Sequence, residues 1–340
     1  MAGRKLPVFQ PQSKSGYPGP SNEVDLTTFD IILVNTSAGK DSQASMEVVV
    51  REAKRQGVHK RVVAVHCDLG EVEWPAYKEA RAEQLEAGYK PMTGAFRKPG
   101  VFLGSVRELA KVQAEMHGIE LFYVENQQRT LLEQVVERGR FPGPATRYCT
   151  SDFKRAQVYR LMTFLSQNLR EQGVERPRIL NILGLRGEES DARKKKRAFK
   201  RDRMASTATT REVWTWLPIK RWTKEEVWES IHRSGIPYHW AYAEGMPRLS
   251  CSVCIYHSPT ILKRSGYMRP ANLRTYARIE KMLVSSHAEE DRRAAKKAGK
   301  PVAARLFKKG LSIAAIERDV RRGDYPEASE IDPDDVSGPK

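Results

Sequence analysis

Apolar positions run along this chain in two alternating periods. Phe29-Asp30-Ile31-Ile32-Leu33-Val34 is a nearly continuous apolar run that stops at Asn35-Thr36-Ser37-Ala38-Gly39-Lys40-Asp41-Ser42. A short apolar run with an abrupt polar end predicts a buried parallel strand. From residue 41 to about 55 the apolar residues Ala44, Val48, Val49 and Ala53 share one helical face. The alternation then recurs. Residues 61–68 read as a second buried strand ending on polar residues, and a helix is expected over about 74–87. Residues 120–125 form a third strand candidate and residues 131–136 open another helix. Phe153, Val158, Leu161, Met162 and Leu165 give residues 151–169 a helical spacing, and residues 178–185 are a further strand leading into a glycine-arginine loop. Strands alternating with helices predict an α/β fold: a doubly wound, mainly parallel sheet with helices on both faces.

Beyond about residue 205 the texture changes. Trp214, Trp216, Trp222, Trp228 and Trp240 crowd a short span, and Thr223-Lys224-Glu225-Glu226 fits a capping box that opens a helix to about Arg233. Gly235-Ile236-Pro237 stops it. From about Leu273 the chain reads helical and basic. The expected organisation is a disordered lead-in over residues 1–24, a nucleotide-binding domain over 25–260, a basic helical extension over 261–323 and an acidic mobile tail over 324–340. An apolar fraction of 40% is enough for a proper core. No apolar run has the length of a membrane span, and four cysteines are too few for a disulfide-built fold, so a cytoplasmic protein with no membrane partner is expected. A net charge of +17 favours a polyanionic partner, nucleic acid first.

The chemistry concentrates at the first strand-loop-helix unit. Backbone N–H groups at a helix start point at an anion there, and the helix dipole favours its charge. Ala38 and Gly39 keep side chains out of the way, Lys40 can neutralise phosphate, and Asp41 can hold a magnesium ion that the phosphates share. Thr-Ser-Ala-Gly-Lys-Asp-Ser resembles the S-G-G-K-D-S signature of the PP-loop superfamily, the N-type ATP pyrophosphatases, with Ala38 at the first glycine. The resemblance implies an adenine nucleotide alpha-hydrolase-like, Rossmann-like fold. It also implies ATP with its pyrophosphate on Ser37, Ala38, Gly39, Lys40, Asp41 and Ser42, and attack by a substrate on the α-phosphate.

Three further segments extend that resemblance over roughly residues 30–257. Gly184-Leu185-Arg186-Gly187-Glu188-Glu189-Ser190-Asp191-Ala192-Arg193 is similar to the G-x-R-x-x-E-S-x-x-R segment of the phosphoadenylyl-sulfate (PAPS) reductase family. Residues 218–228 are similar to its P-I-x-x-W-T-x-x-D-V-W, with Glu226 in place of the aspartate, and Gly235-Ile236-Pro237 with Tyr242 matches the next block. Arg186 is then the expected second phosphate contact beside Gly184, since a guanidinium grips phosphate through paired hydrogen bonds. Lys40, Asp41 and Arg186 are the expected catalytic residues. Asp68 either bonds the nucleotide or its metal or is a solvated strand end. Glu188 and Glu189 hold a metal or orient Arg186.

Cys251-Ser252-Val253-Cys254 places two thiols three residues apart, and Cys149 supplies a third. In iron–sulfur relatives of the reductases a cysteine pair and a C-x-x-C hold a [4Fe–4S] cluster, and Tyr148 stands here where the first of that pair would be. Three readings stay open: a three-cysteine cluster, a zinc site completed by His257, and reduced unligated thiols. Cys67, on a strand, reads as a buried inert thiol. The run Arg193, Lys194, Lys195, Lys196, Arg197, Lys200 and Arg201 is the densest charge in the chain. It is either a nucleic-acid backbone clamp with Phe199 free to stack, or a solvated loop. The cations Arg292, Arg293, Lys296, Lys297, Lys300, Lys308 and Lys309 repeat the theme on helices.

Three functions are compatible with this reading. The first is an ATP-consuming enzyme that adenylates or thiolates a substrate, a nucleic acid among the candidates, in the manner of DNA phosphorothioation and tRNA thiolation enzymes. The second is a phosphoadenylyl-sulfate or adenylyl-sulfate reductase, or an ATP sulfurylase of the same fold. The reductases attack sulfate with a cysteine near their C-terminus, and no cysteine follows Cys254 in this sequence. The third is a nucleotide-responsive nucleic-acid-binding module without turnover.

Overall fold

A computed structural model describes residues 19–298 and 305–335. The four expected runs and two further segments form a six-stranded sheet: β1 (Ile31–Thr36), β2 (Val62–Cys67), β3 (Glu120–Val124), β4 (Arg178–Ile182), and, not expected from the sequence, β5 (Phe199–Arg201) and β6 (Glu212–Trp216). Their order is β3-β2-β1-β4-β6-β5, parallel throughout except that β5 runs antiparallel to β6. Alternate residues of each strand serve opposite faces. Ile32, Val34, Val62, Ala64, Leu180 and Ile182 pack against Met46, Val49 and Ala53 of the Lys40–Arg55 helix and Ala114 of the Val106–His117 helix. Ile31, Leu33, Val65, Ile179 and Val213 pack on the other face against Val158, Leu161 and Met162 of the Ala156–Glu171 helix. The expected doubly wound, mainly parallel sheet with helices on both faces is what forms.

Packing divides the described chain into two units that cross the boundary expected near residue 260. The first comprises residues 19–68, 106–124 and 156–238 and holds the sheet. Within it the Lys224–Ser234 helix starts with the expected Thr223–Glu226 box and ends on left-handed Gly235. Its Val227 and Ile231 pack with Ala44 and Val48. Residues 1–18 of the expected lead-in lie outside the described residues. Residues 19–24 dock on the tryptophan block, where Trp222 Nε1 donates to the Gly19 carbonyl at 2.9 Å and Trp216 Nε1 to Asn22 Oδ1 at 3.1 Å.

The second unit comprises residues 69–105, 125–155 and 239–335 and gathers the helices Tyr77–Glu86, Leu131–Glu137, Pro259–Met268, Pro270–Ser286, Ala288–Ala298 and Ile313–Arg321. Within it the buried Trp74 and Trp240 meet edge to face. The segment expected as a mobile tail carries contacts over residues 324–335: Tyr325 stacks on Tyr267 at 4.2 Å between ring centroids. Ser258 is also hydrogen-bonded to Asp335. Residues 336–340 are outside the described chain. No helix among the described residues is long and apolar enough to cross a membrane.

Candidate active site

Between β1 and β4 the strand order reverses, with β2 and β3 on one side and β6 and β5 on the other. Ligands of open α/β sheets bind beyond the carboxyl ends of the strands at such a switch point. Two connections meet there, residues 37–42 after β1 and residues 183–187 after β4. In the first, Ala38 N–H donates to Thr36 Oγ1 at 3.0 Å, Ser37 N–H donates to Ser42 Oγ at 3.2 Å, and Ser42 Oγ donates to the Gly39 carbonyl at 2.9 Å. Ala38 has φ +54°, the one non-glycine positive φ among the described residues. The helix then starts at Lys40 with Gly39 as N-cap and no side-chain cap hydrogen bond, the kind of helix start that can serve an anion.

Both cationic side chains of this site are buried, Lys40 3% and Arg186 4% exposed, and they flank one carboxylate. Arg186 Nε donates to Asp41 Oδ1 at 2.5 Å, and Lys40 Nζ stands 3.3 Å from Asp41 Oδ2. Burial raises the Asp41 carboxyl, but the Lys40 and Arg186 charges and hydrogen bonds outweigh it and leave its pKa below the usual value. Arg186 also pairs with Glu188, and its own N–H donates to Glu189 Oε2 at 3.3 Å, while Glu189 pairs with Arg193. Both glutamates are thus engaged with arginines, Glu188 with the Arg186 side chain and Glu189 with the Arg186 backbone and Arg193. Gly184 is where the two connections touch. A Cβ there would lie 2.6 Å from the Asp41 carbonyl oxygen and 2.9 Å from Ser42 Cα.

Asp68, at the end of β2, is not a solvated strand end. It pairs with Arg107, whose guanidinium lies 4.1 Å from the Tyr123 ring centroid, and Tyr123 OH donates to the Arg107 carbonyl at 2.9 Å. Neither Arg107 nor Tyr123 stands in a motif, so only the fold reveals them.

Cys149, Cys251 and Cys254 all fall in the second unit. Burial pushes the Cys149 and Cys251 thiols above their ordinary value; the Lys154 charge opposes this, and Cys254 adds to it. His257 Nε2 lies 2.9 Å from Ser250 Oγ, and its Nδ1 is buried without a hydrogen-bond partner. Three thiols and an imidazole suit zinc or an iron–sulfur cluster chemically. As placed, however, no three His, Cys, Asp or Glu side chains among the described residues stand together as a metal-holding group. The expected ligand set of Cys149, Cys251 and Cys254 is therefore not assembled as a metal-holding group in this arrangement. Cys67 lies on β2, packed at the sheet core in the first unit.

Residues 106–257 match the phosphoadenosine phosphosulfate reductase domain. That span contains Gly184, Arg186 and the three cysteines, and it begins after Asp68 and the 37–42 loop. Over 154 residues the chain is 23% identical to an uncharacterized 37.8 kDa protein in the gpa 5′ region of Escherichia phage 186. The match covers 45% of this chain and 43% of that protein, so the chain spans less than half of its relative's length. A crystal structure of phosphoadenylyl-sulfate (PAPS) reductase from Candida auris, a phosphate complex, is similar at 13% identity and a TM-score of 0.32, covering 63% of this chain and 77% of that one.

The basic run follows the Arg186 connection. Arg193 pairs with Glu189, Lys194 with Asp191 and Arg201 with Glu212. Phe199 is not free to stack on a base: its ring lies flat on Trp214 at 4.8 Å and edge-on to Phe29 at 6.5 Å. Its apolar surface is worth more against the core than in water, so strand pairing draws it inward.

Proposed function

We propose that the protein is a nucleotide-dependent enzyme of PP-loop type that binds ATP with the pyrophosphate on residues 37–42 and adenylates or thiolates a substrate. In the adenylation step a substrate nucleophile forms a bond to the α-phosphorus. The bond from that phosphorus to the bridging oxygen breaks, and pyrophosphate leaves with the electron pair. One observation carries the reading: Lys40, Asp41 and Arg186 are gathered at the switch point between β1 and β4, beside an uncapped helix start. Lys40 and Arg186 would offset the charge that builds on the departing pyrophosphate, the main source of catalysis in such transfers. Asp41 would keep the two cations apart and aimed. It is also the carboxylate a magnesium ion would need, but its oxygens face Lys40 and Arg186 here, so the loop as placed does not fit the ion and no step is assigned to one.

The match to the reductase domain favours a second reading, reduction of a sulfonucleotide. Isothermal titration with ATP and with phosphoadenylyl sulfate, followed by assays for pyrophosphate and for sulfite, separates the two. The expected result is ATP binding with pyrophosphate release, and a fall in ATP affinity of about 10- to 100-fold in Lys40→Ala and Arg186→Ala, the loss of one charge-assisted contact each. Sulfite release from phosphoadenylyl sulfate with a thiol reductant, and no pyrophosphate from ATP, would overturn it.

A further inference from the structure

The sheet register puts the unpaired part of the basic run on the same edge as the nucleotide loop. β6 is parallel to β4, with Trp216 opposite Ile182, so both strands end on the carboxyl edge that carries residues 37–42 and 183–187. β5 is antiparallel to β6, with Phe199 opposite Trp216, so residues 195–198 enter β5 from that same edge. Two hydrogen bonds stitch the row together: Leu183 N–H donates to the Trp216 carbonyl at 3.1 Å, and Leu217 N–H to the Ala198 carbonyl at 2.7 Å. Two strand spacings, roughly 10 Å, therefore separate the end of β4 from Ala198.

From this edge, along β5 toward the opposite end of the sheet, the charges are not balanced. Lys195, Lys196, Arg197, Lys200 and Arg203 are all exposed, and none makes an ion pair among the described residues, while Arg193, Lys194 and Arg201 have acidic partners. The neighbouring Asp202 turns its carboxylate onto the backbone N–H groups of Met204 and Ala205, at 3.1 Å each. β5 is also the end of the sheet, so nothing in the sheet covers its outer side. A row of unneutralised cations leading to a phosphate site fits a ligand with phosphates in series.

On the reading that the loop activates a nucleotide at its α-phosphate, we propose that the acceptor is a single-stranded nucleic acid. Its sugar-phosphate backbone lies along residues 195–203, and its reacting end enters at Arg186. A single strand is favoured over a duplex because the site's cations are almost fully buried, and a duplex would have to unstack a nucleotide to reach them. Phe199 and Trp214 hold each other, so the strand is read by charge and without base stacking.

The test uses the whole protein, 20-nucleotide single strands of DNA and of RNA, and the corresponding DNA duplex, titrated by fluorescence anisotropy from low to moderate salt. Single strands are expected to bind. The triple variant Lys195→Glu, Lys196→Glu, Arg197→Glu should weaken them at least about 30-fold and flatten the salt slope by about 2, three phosphates' worth. A charge-matched triple on exposed helix positions, Lys281→Glu, Lys296→Glu, Lys297→Glu, should weaken them less than about 3-fold at moderate salt, where distant charges are screened. The milder Lys195→Gln, Lys196→Gln, Arg197→Gln, with circular dichroism matching the parent, should fall between parent and Glu triple. Equal losses in the two Glu triples, no loss in either, or a duplex bound ten times tighter than single strands would overturn the proposal. ATP binding is titrated in parallel. Edge-dependent strand binding without ATP binding would remove the nucleotide reading and leave the strand site, and ATP binding without edge dependence would do the reverse.

Discussion

At position 38 the backbone takes a left-handed turn on an alanine, and at position 184 two backbones meet over a glycine. These residues set the shape of the candidate site more than the charged groups do. Ala38 at φ +54° carries a steric cost of about 1–2 kcal/mol that a glycine would not, part of which glycine returns through its greater freedom in the unfolded chain. Ala38→Gly is expected to stabilise the protein by about 0.5–1 kcal/mol, read as a higher denaturant midpoint at unchanged slope. A lower midpoint would mean that the buried Ala38 methyl contributes more than the turn costs. Gly184→Ala should act in the opposite sense. Its φ is ordinary, so an alanine in open space would stabilise, yet the added Cβ must push against the Asp41 carbonyl 2.6 Å away. Overpacking of this kind costs about 1–3 kcal/mol. It would also pull Arg186 off Asp41, so ATP affinity should fall about 10-fold or more together with the midpoint. A stabilised Gly184→Ala protein with unchanged affinity would sink this account of the contact.

Among the elements, the Ile313–Arg321 helix depends on one side chain from another helix. Glu280, in Pro270–Ser286, is buried and accepts from Phe307 N–H at 2.7 Å and Ile313 N–H at 3.0 Å on Oε1. On Oε2 it accepts from Ser312 Oγ at 2.5 Å and Ala314 N–H at 2.9 Å. Glu280→Ala would leave four donors without an acceptor, a loss of about 3–5 kcal/mol. Amide hydrogen exchange over residues 305–321 should then quicken by at least about 100-fold while the sheet of the first unit keeps its protection. Uniform quickening across the chain would show Glu280 to be a general support. Nothing in the sequence announces this glutamate, because its partners lie 27 to 34 residues away and form no pattern. Four of the six strands were legible because a buried parallel strand is apolar over most of its length, and the phosphate loop because its shape demands small residues and a lysine in a fixed order. The strands Phe199–Arg201 and Glu212–Trp216 were not, since the first is basic and half exposed and the second alternates. Phe199 read wrongly: a basic neighbourhood suggested exposure, while pairing with β6 laid its ring on Trp214. The division into units was not legible either. Residues 69–105 and 125–155 pack with residues 239–335, and local periodicity says nothing about which distant segments share a core.

For the molecule as a whole, acid is the revealing condition. His239 is completely buried, its Nδ1 accepts from Ala241 N–H at 3.2 Å, and its Nε2 has no partner. Burial lowers its pKa from 6.5 to about 3. The unfolded chain therefore takes up a proton at this residue as pH falls through 6.5, whereas the folded chain does not until about pH 3. Proton binding to the unfolded state alone means that stability is complete above pH 6.5 and falls by about 1.4 kcal/mol per pH unit below it. Between pH 7 and 5 the loss from this residue is about 2 kcal/mol. A protein already at +17 gains further positive charge over the same range, and self-repulsion acts in the same direction. The His239 share is isolated in His239→Asn, whose side-chain oxygen can keep the Ala241 N–H bonded and which takes up no proton. Urea unfolding of both proteins at pH 7 and 5 should show the variant less stable at pH 7, from the lost ring packing, yet losing about 2 kcal/mol less on acidification. If the two lose the same amount, the His239 imidazole is not what makes the fold acid-sensitive, and the surplus of cations together with the other buried histidines whose pKa burial lowers, His117 and His257, must account for it.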